Sequence, residues 1–119
     1  MRMWMIPVEL LCNKHLNGEH GELHKHRWCF ERKMSIKGRI YPKVQIEPAT
    51  MGMRHDDLAR EMMNRGMNHN SVYKQPDISY LPPDQRYAKV DLIQSYYDLT
   101  SRCQQCKQLI EGGTPHDSI

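Results

Sequence analysis

Residues 12–34, CNKHLNGEHGELHKHRWCFERKM, contain the pattern that decides the fold of this chain. Its apolar side chains are separated by 4, 7, 7 and 4 residues: Cys12, Leu16, Leu23, Phe30 and Met34. Such spacings bring side chains onto one face of an α-helix. The pattern therefore predicts a long first helix that begins near Pro7, a residue suited to a first helical turn, and ends near Lys37-Gly38.

Two further helices are predicted along the chain. The second covers residues 55–65 and stops at Gly66. The third runs from about Ala88 to Ile110 and has one apolar face: Leu92, Tyr96, Leu99, Cys103, Cys106 and Ile110. Residues 39–53 and 67–86 are predicted as irregular connectors, because proline and glycine interrupt them. Without a strand pattern, we expect an all-α fold, a single compact domain of three main helices over residues 1–111 with a flexible tail at 112–119.

Length and composition limit the classes of protein that fit. The 119 residues suffice for one domain, and 39% hydrophobic with 26% charged residues is ordinary for a soluble globular protein. No apolar run approaches the ~18 residues that span a bilayer, and the N-terminus does not resemble a signal peptide. We therefore expect a cytoplasmic protein with no membrane partner, whose four cysteines are thiols.

The charge is unevenly distributed. Residues 1–45 hold nine Lys or Arg against four Glu, a net +5, and residues 46–119 hold eight basic against ten acidic residues, a net −2. A basic half is typical of a polyanionic partner, although an uneven surface charge without function gives the same pattern.

A polar stripe runs beside the apolar face of the first predicted helix. Its members are spaced by 4, 3 and 4 residues: His15, Glu19, Glu22 and His26. Carboxylate and imidazole groups at the edge of a core can have shifted pKa values, which proton-transfer chemistry requires. The alternative is a solvated face with weak His–Glu pairs.

Metal binding is a further possibility that the sequence leaves open. His20 and His24 lie one helical turn apart, and Glu19, Glu22 and His26 form a similar set. Cys103 and Cys106 form a Cys-x-x-Cys pair that Cys12 and His15 could complete as a zinc site. These cysteines fall on the apolar stripes, where cysteine acts as a small hydrophobic residue. We therefore expect no metal and no cofactor, and a metal-dependent helical protein is an alternative.

The chain contains the motifs KHLNGEHGELHKH, NRGMN and PDISYLP, and these resemble motifs of the pyrimidine-dimer DNA glycosylases of the phage endonuclease V type. The first is Met1-Arg2 followed by KHLNGEHGELHKH at residues 14–26. The others are NRGMN at residues 64–68 and PDISYLP at residues 76–82. The resemblance extends over roughly residues 1–110 and implies an all-α DNA repair enzyme of phage or bacterial origin, acting on double-stranded DNA.

The resemblance also implies roles for individual residues. That family uses its N-terminal α-amine as nucleophile and a glutamate of the first helix as the essential acid, which correspond to Met1 and Glu22. Arg2 and Lys25 match basic positions that contact DNA phosphates. His15 and His26 are expected to orient groups or bind DNA on the same stripe.

The expected activity is that of a DNA glycosylase with associated AP-lyase activity. It would act on pyrimidine dimers or modified bases through a Schiff base on the N-terminal amine. The chain departs from the best-known members at Gly21, where they have arginine, and in its shorter connector before the second helix. A noncatalytic binder of nucleic acid or nucleotides on the same fold is the main alternative.

Overall fold

The computed structural model describes residues 2–68 and 72–112. Within these ranges the chain forms six α-helices and two 3-10 turns, without a strand. The helices are α1 (Asn13–Glu31), α2 (Lys37–Ile40), α3 (Met51–Asn64), α4 (Pro83–Arg86), α5 (Leu92–Arg102) and α6 (Gln104–Gly112). The predicted all-α single domain is confirmed. The predicted tail at 112–119 lies outside the described residues, apart from Gly112 at the end of α6.

The first helix is shorter than the sequence predicted. Pro7 begins a 3-10 turn, Val8–Leu10, and not α1, because Leu11 is extended and Cys12 is the N-cap of the helix. At the other end, Lys33 adopts a φ of 51°, which is incompatible with a continuing helix. Met34 therefore leaves the apolar face and is 44% exposed.

The second main helix, α3, begins before the predicted residue 55. Gly52, assigned to the connector from the sequence, lies in the first turn of α3, where its N–H donates to Oε1 of Gln75 at 2.7 Å. A Cβ atom at this position would lie 3.1 Å from that oxygen, so glycine permits the close approach. Gly66 follows the helix with a φ of 79°, as expected of a glycine after a helix end.

The third predicted helix is two helices. Cys103 has extended backbone between α5 and α6, and its Sγ accepts the N–H of Cys106 at 3.4 Å. The apolar spacing continues across Cys103, so the sequence pattern does not show that the helix is interrupted there. Leu92, predicted to be apolar core, is 48% exposed, whereas Leu99 and Cys106 are buried.

One hydrophobic core joins these elements. α1 packs on α3, and the turn Val8–Leu10 contacts both α3 and α6. The segment before that turn runs through the core, where Met3 and Ile6 are fully buried and the Met3 N–H donates to the carbonyl of Gln45. In residues 2–68 and 72–112, no helix has the length and apolar character to cross a membrane. Met3 and Ile6 thus hold the N-terminal segment within the hydrophobic core.

Candidate active site

Glu22 lies in the middle of α1 with little access to solvent. The residue is 4% exposed, and its Oε2 has no hydrogen-bond partner among the described residues. The imidazole of His26, one turn further along the helix, lies 3.8 Å from Oε1 and donates from Nδ1 to the Glu22 carbonyl at 2.9 Å. Burial lowers the pKa of His26, so its ring is neutral at physiological pH. Glu22 is therefore a buried carboxyl group with one oxygen that no described residue binds.

Glu19, on the preceding turn of the same stripe, has a structural role. Arg54 of α3 donates to both of its carboxylate oxygens, from Nε at 2.6 Å and from Nη2 at 3.0 Å. The third donor of Arg54 binds the carbonyl of Ile6 at 2.7 Å. This buried bidentate pair ties α1, α3 and the N-terminal segment together. The sequence did contain a signal for it, since Arg54 interrupts an apolar stripe formed by Met51, Leu58 and Met62.

A cavity of about 570 Å³ opens over the first half of α1. Four of its lining residues are cations: Arg2, Lys14, Lys43 and Arg102. On α1 the cavity is bounded by His15, Gly18 and Glu19, and Glu22 follows Gly18 by one turn on the same face. The cavity therefore combines a positive wall with the helix stripe that leads to Glu22. Sequence reasoning missed Lys14, Lys43 and Arg102, because only the fold brings these distant positions together.

Arg2 is held firmly at the edge of this cavity. Its Nη1 donates to Oδ2 of Asp98 at 2.9 Å and its Nη2 to Oγ of Ser95 at 2.7 Å. The guanidinium lies 4.6 Å from the ring centroid of Trp4. Burial lowers the pKa of Arg2, although the charge of Asp98 opposes this. An arginine remains charged in any such environment, so Arg2 contributes a fixed positive charge.

The remaining predicted site residues do not all lie at the cavity. His15 lines the cavity, and burial lowers the pKa of its ring, an effect to which the Lys14 charge adds. Lys25 is exposed on α1 and is not among the residues that line the cavity. Met1, the predicted nucleophile, lies outside the described residues. The structure thus brings Glu22 and His26 together, and separately Arg2 and His15.

His20 and His24, which the sequence suggested as a metal-binding pair, lie beside a third histidine from α3. The rings of His20, His24 and His55 have centroids 4.7–4.9 Å apart, and His55 is buried against the ring of Tyr73. Glu19, Glu22 and His26 were the other candidate group of metal ligands. Glu19 is not available as a ligand in this group, because its carboxylate is paired with Arg54.

A buried acid on a helix face that continues into a cation-lined cavity defines a small all-α protein with a site for an anionic substrate. A family model described as pyrimidine dimer DNA glycosylase matches residues 1–75, and the chain belongs to that family, as the sequence predicted. It is thus a DNA repair glycosylase, and DNA is its substrate. No curated protein and no solved structure matches the chain. The match includes Glu22 and ends before α5 and α6.

Proposed function

We propose that this glycosylase also has AP-lyase activity, and that it acts on double-stranded DNA carrying pyrimidine dimers or modified bases. The proposed nucleophile is the α-amine of Met1, and the proposed acid/base is Glu22. Family membership supports the glycosylase chemistry, and the cation-lined cavity supports a DNA backbone as the ligand.

The state of the Glu22 carboxyl group carries this proposal. A buried carboxylate normally has its oxygens paired, and an orphaned one calls for a functional explanation. Oε2 of Glu22 has no partner among the described residues, whereas Arg54 satisfies both oxygens of Glu19 on the same stripe. Oε2 of Glu22, which no described residue binds, is therefore available to a reacting group, whereas Arg54 binds both oxygens of Glu19.

An N-terminal amine suits the nucleophilic step. Its ordinary pKa of about 7.7–8.0 leaves a useful neutral fraction at physiological pH, unlike a lysine with a pKa of about 10.4. The nitrogen lone pair attacks C1′ of the damaged nucleotide, the C1′–N bond to the base breaks, and the base leaves with those electrons and takes up a proton. Arg2, the residue bonded to Met1, lines the cavity, which is consistent with an amine acting there.

Glu22 has two proposed tasks after the attack. Its negative charge stabilises the positively charged sugar intermediate. The C1′–O4′ bond then breaks as the nitrogen lone pair forms the C1′=N bond of the Schiff base, and the remaining N–H proton passes to O4′. Glu22 then removes a proton from C2′, the C3′–O bond breaks, and the 3′ phosphate leaves. Water hydrolyses the remaining Schiff base and releases the amine. The hydrogen bond from His26 to the Glu22 carbonyl supports the local geometry of this helix turn.

The phosphate contacts are assigned to Arg2 and Lys25, with Lys14, Lys43 and Arg102 on the cavity wall. Lys25 is exposed on the same helix as Glu22 and so can reach a strand that lies across α1. Asp98 and Ser95 hold Arg2 at the cavity edge, so it presents a preorganised charge.

Borohydride trapping tests the amine mechanism. Untagged protein is incubated with duplex oligonucleotides that carry an abasic site or a thymine dimer, and any reduced adduct is mapped by peptide mass spectrometry. We expect an adduct on Met1 and none when the N-terminus is extended by a short tag. DNA binding without an adduct, from folded protein with a free amine, would instead support the noncatalytic alternative.

Substitution Glu22→Gln tests the acid/base role. We expect at least 10²-fold slower strand cleavage, roughly the range for loss of a general acid/base, with DNA affinity retained. Glu31→Gln is the matched control on the same helix, because Glu31 is exposed and pairs with Arg27 at the surface. Cleavage by Glu22→Gln at the rate of Glu31→Gln would contradict the assignment.

A further inference from the structure

Two sequence motifs from distant parts of the chain meet behind the cavity. Cys12 and His15 form a Cys-x-x-His pair at the start of α1, and Cys103 and Cys106 form a Cys-x-x-Cys pair at the start of α6. One potential ligand atom from each of the four residues lies within 4.8 Å of the others. Cys12 and Cys106 are buried, and the remaining two residues are half-buried. Both pairs thus converge on one point.

The separations of these atoms match a tetrahedral metal site. Zinc binds sulfur at about 2.3 Å and imidazole nitrogen at about 2.0–2.1 Å, which at tetrahedral angles places two sulfurs about 3.8 Å apart and sulfur and nitrogen about 3.5 Å apart. The Sγ atoms of Cys12 and Cys103 are 3.7 Å apart. Nδ1 of His15 lies 3.2 Å from the Cys12 sulfur and 3.5 Å from the Cys106 sulfur.

The backbone around the cluster is arranged as an outer shell for sulfur ligands. Each of the three sulfurs accepts one backbone N–H. The Cys12 sulfur accepts from His15 at 3.5 Å, the Cys103 sulfur from Cys106 at 3.4 Å, and the Cys106 sulfur from Cys12 at 3.3 Å. Such donors orient thiolate ligands and stabilise their negative charge. An ordinary apolar core does not require backbone N–H donors for three cysteine sulfurs.

The charges nearby also favour a metal with thiolate ligands. Three thiolates and a neutral imidazole around Zn²⁺ carry a net charge of −1. Lys14 precedes His15 and Arg102 precedes Cys103, and both cations line the adjoining cavity. Cys12, Cys103 and Cys106 are free cysteines, so their sulfurs are available as ligands.

We propose that Cys12, His15, Cys103 and Cys106 bind one structural Zn²⁺. Four protein ligands leave no open position, so the metal stabilises the fold and does not take part in base excision. The ion would join α1, which lies in the family-matched range of residues 1–75, to the junction of α5 and α6 beyond it. This assignment replaces the apolar role of the three cysteines that the sequence suggested, and also the orienting or DNA-binding role of His15.

Metal analysis of the purified wild-type protein gives the first test. We expect one zinc per chain by elemental analysis and native mass spectrometry. Replacement by Co²⁺ should produce the visible absorption bands of a tetrahedral, thiolate-bound ion. Protein that contains no zinc and gives no such spectrum under reducing conditions overturns the proposal, as does an intact Cys12–Cys103 disulfide in protein isolated from the cytoplasm.

Two control variants make the assignment specific. Cys103→Ser should lose the cobalt bands and bind Zn²⁺ more weakly by at least the roughly 10–100-fold that loss of an outer-shell partner costs. Cys29→Ser should retain the metal, because Cys29 is the one described cysteine outside the cluster. His24→Gln should also retain it, although His24 belongs to the second cluster with His20 and His55.

The reverse pattern is equally decisive. Zinc that persists in Cys103→Ser and disappears in His24→Gln would place the metal at the histidine cluster and refute the proposal. If Cys103→Ser does not fold, a chelator titration of the wild-type protein replaces it. We then expect thermal stability to fall as zinc is removed and to recover when zinc is added. Thermal stability that does not respond to removal of bound zinc contradicts a structural metal.

Discussion

At the scale of single residues, two carboxylates three positions apart on α1 have different surroundings. The guanidinium of Arg54 forms an ion pair with Glu19, whereas Glu22 keeps an oxygen without a partner among the described residues. The difference arises from α3, which presents Arg54 to one helix turn and not to the next. Two glutamates of one sequence pattern thereby acquire different surroundings, because Arg54 binds one carboxylate and no described residue binds Oε2 of the other.

Arg54→Met tests the structural half of this division. Its loss leaves the Glu19 carboxylate buried and unpaired, so we expect the free energy of unfolding to fall by about 3–5 kcal/mol in urea denaturation. Arg60→Met on the same helix is the control, because its pair with Asp57 is 65% and 48% exposed. That variant should change stability by less than about 1 kcal/mol.

The double variant Glu19→Gln with Arg54→Met separates the two contributions. Removing the charge of Glu19 as well should restore part of the stability that is lost in Arg54→Met. Equal losses for Arg54→Met and Arg60→Met would show that the buried pair has no special role.

At the scale of elements, α1 carries two glycines in its interior that differ in position. A Cβ atom at Gly18 or Gly21 would meet nothing within 4 Å, so neither residue is required by packing. Gly18 lines the cavity, whereas Gly21 is exposed outside it. The lack of a side chain at Gly18 therefore widens the cavity at the cost of helix stability.

Gly18→Ala and Gly21→Ala form a matched pair of variants. Each should raise the free energy of unfolding by up to about 1 kcal/mol, because glycine is a poor helix former. Only Gly18→Ala should weaken binding to damaged duplex DNA, measured by fluorescence anisotropy, since its methyl group enters the cavity. Equal affinities for the two variants would argue against this cavity as the DNA site.

The helices show which features a sequence can predict. Periodicity located α1 and the C-terminal helical region, because burial of one face imposes it, whereas α3 was located by its stop at Gly66. It placed the ends poorly, since these depend on single residues such as Lys33 and Cys103 whose backbone follows from tertiary contacts. The cavity was not predictable beyond α1, because Lys43 and Arg102 reach it only through the packing of distant segments.

At the scale of the whole molecule, the cations of the cavity come from four separate segments. Arg2 belongs to the N-terminal segment, Lys14 to α1, Lys43 to the connector between α2 and α3, and Arg102 to α5. Asp98 pairs with both Arg2 and Lys43, and the four cations together still leave an excess of positive charge at the cavity. Binding of DNA at this surface should release counterions and depend steeply on salt.

Lys14→Ala tests this surface directly. Loss of one phosphate contact should reduce the slope of log affinity against log salt by about 1, and should weaken binding to damaged and undamaged duplexes to a similar degree. Lys74→Ala is the control, because Lys74 is exposed and does not line the cavity. Identical salt slopes for the two variants would exclude Lys14 from the interface.

The division of the cavity wall has an evolutionary consequence. One side belongs to the segment that defines the family, with α1 at its centre, and Arg102 belongs to a helix beyond the matched range. Selection can therefore alter the outer side of the cavity through substitutions on α5 while the helix that holds Glu22 is preserved. In related chains, substitutions that reshape the cavity should therefore be more frequent on α5 than on α1.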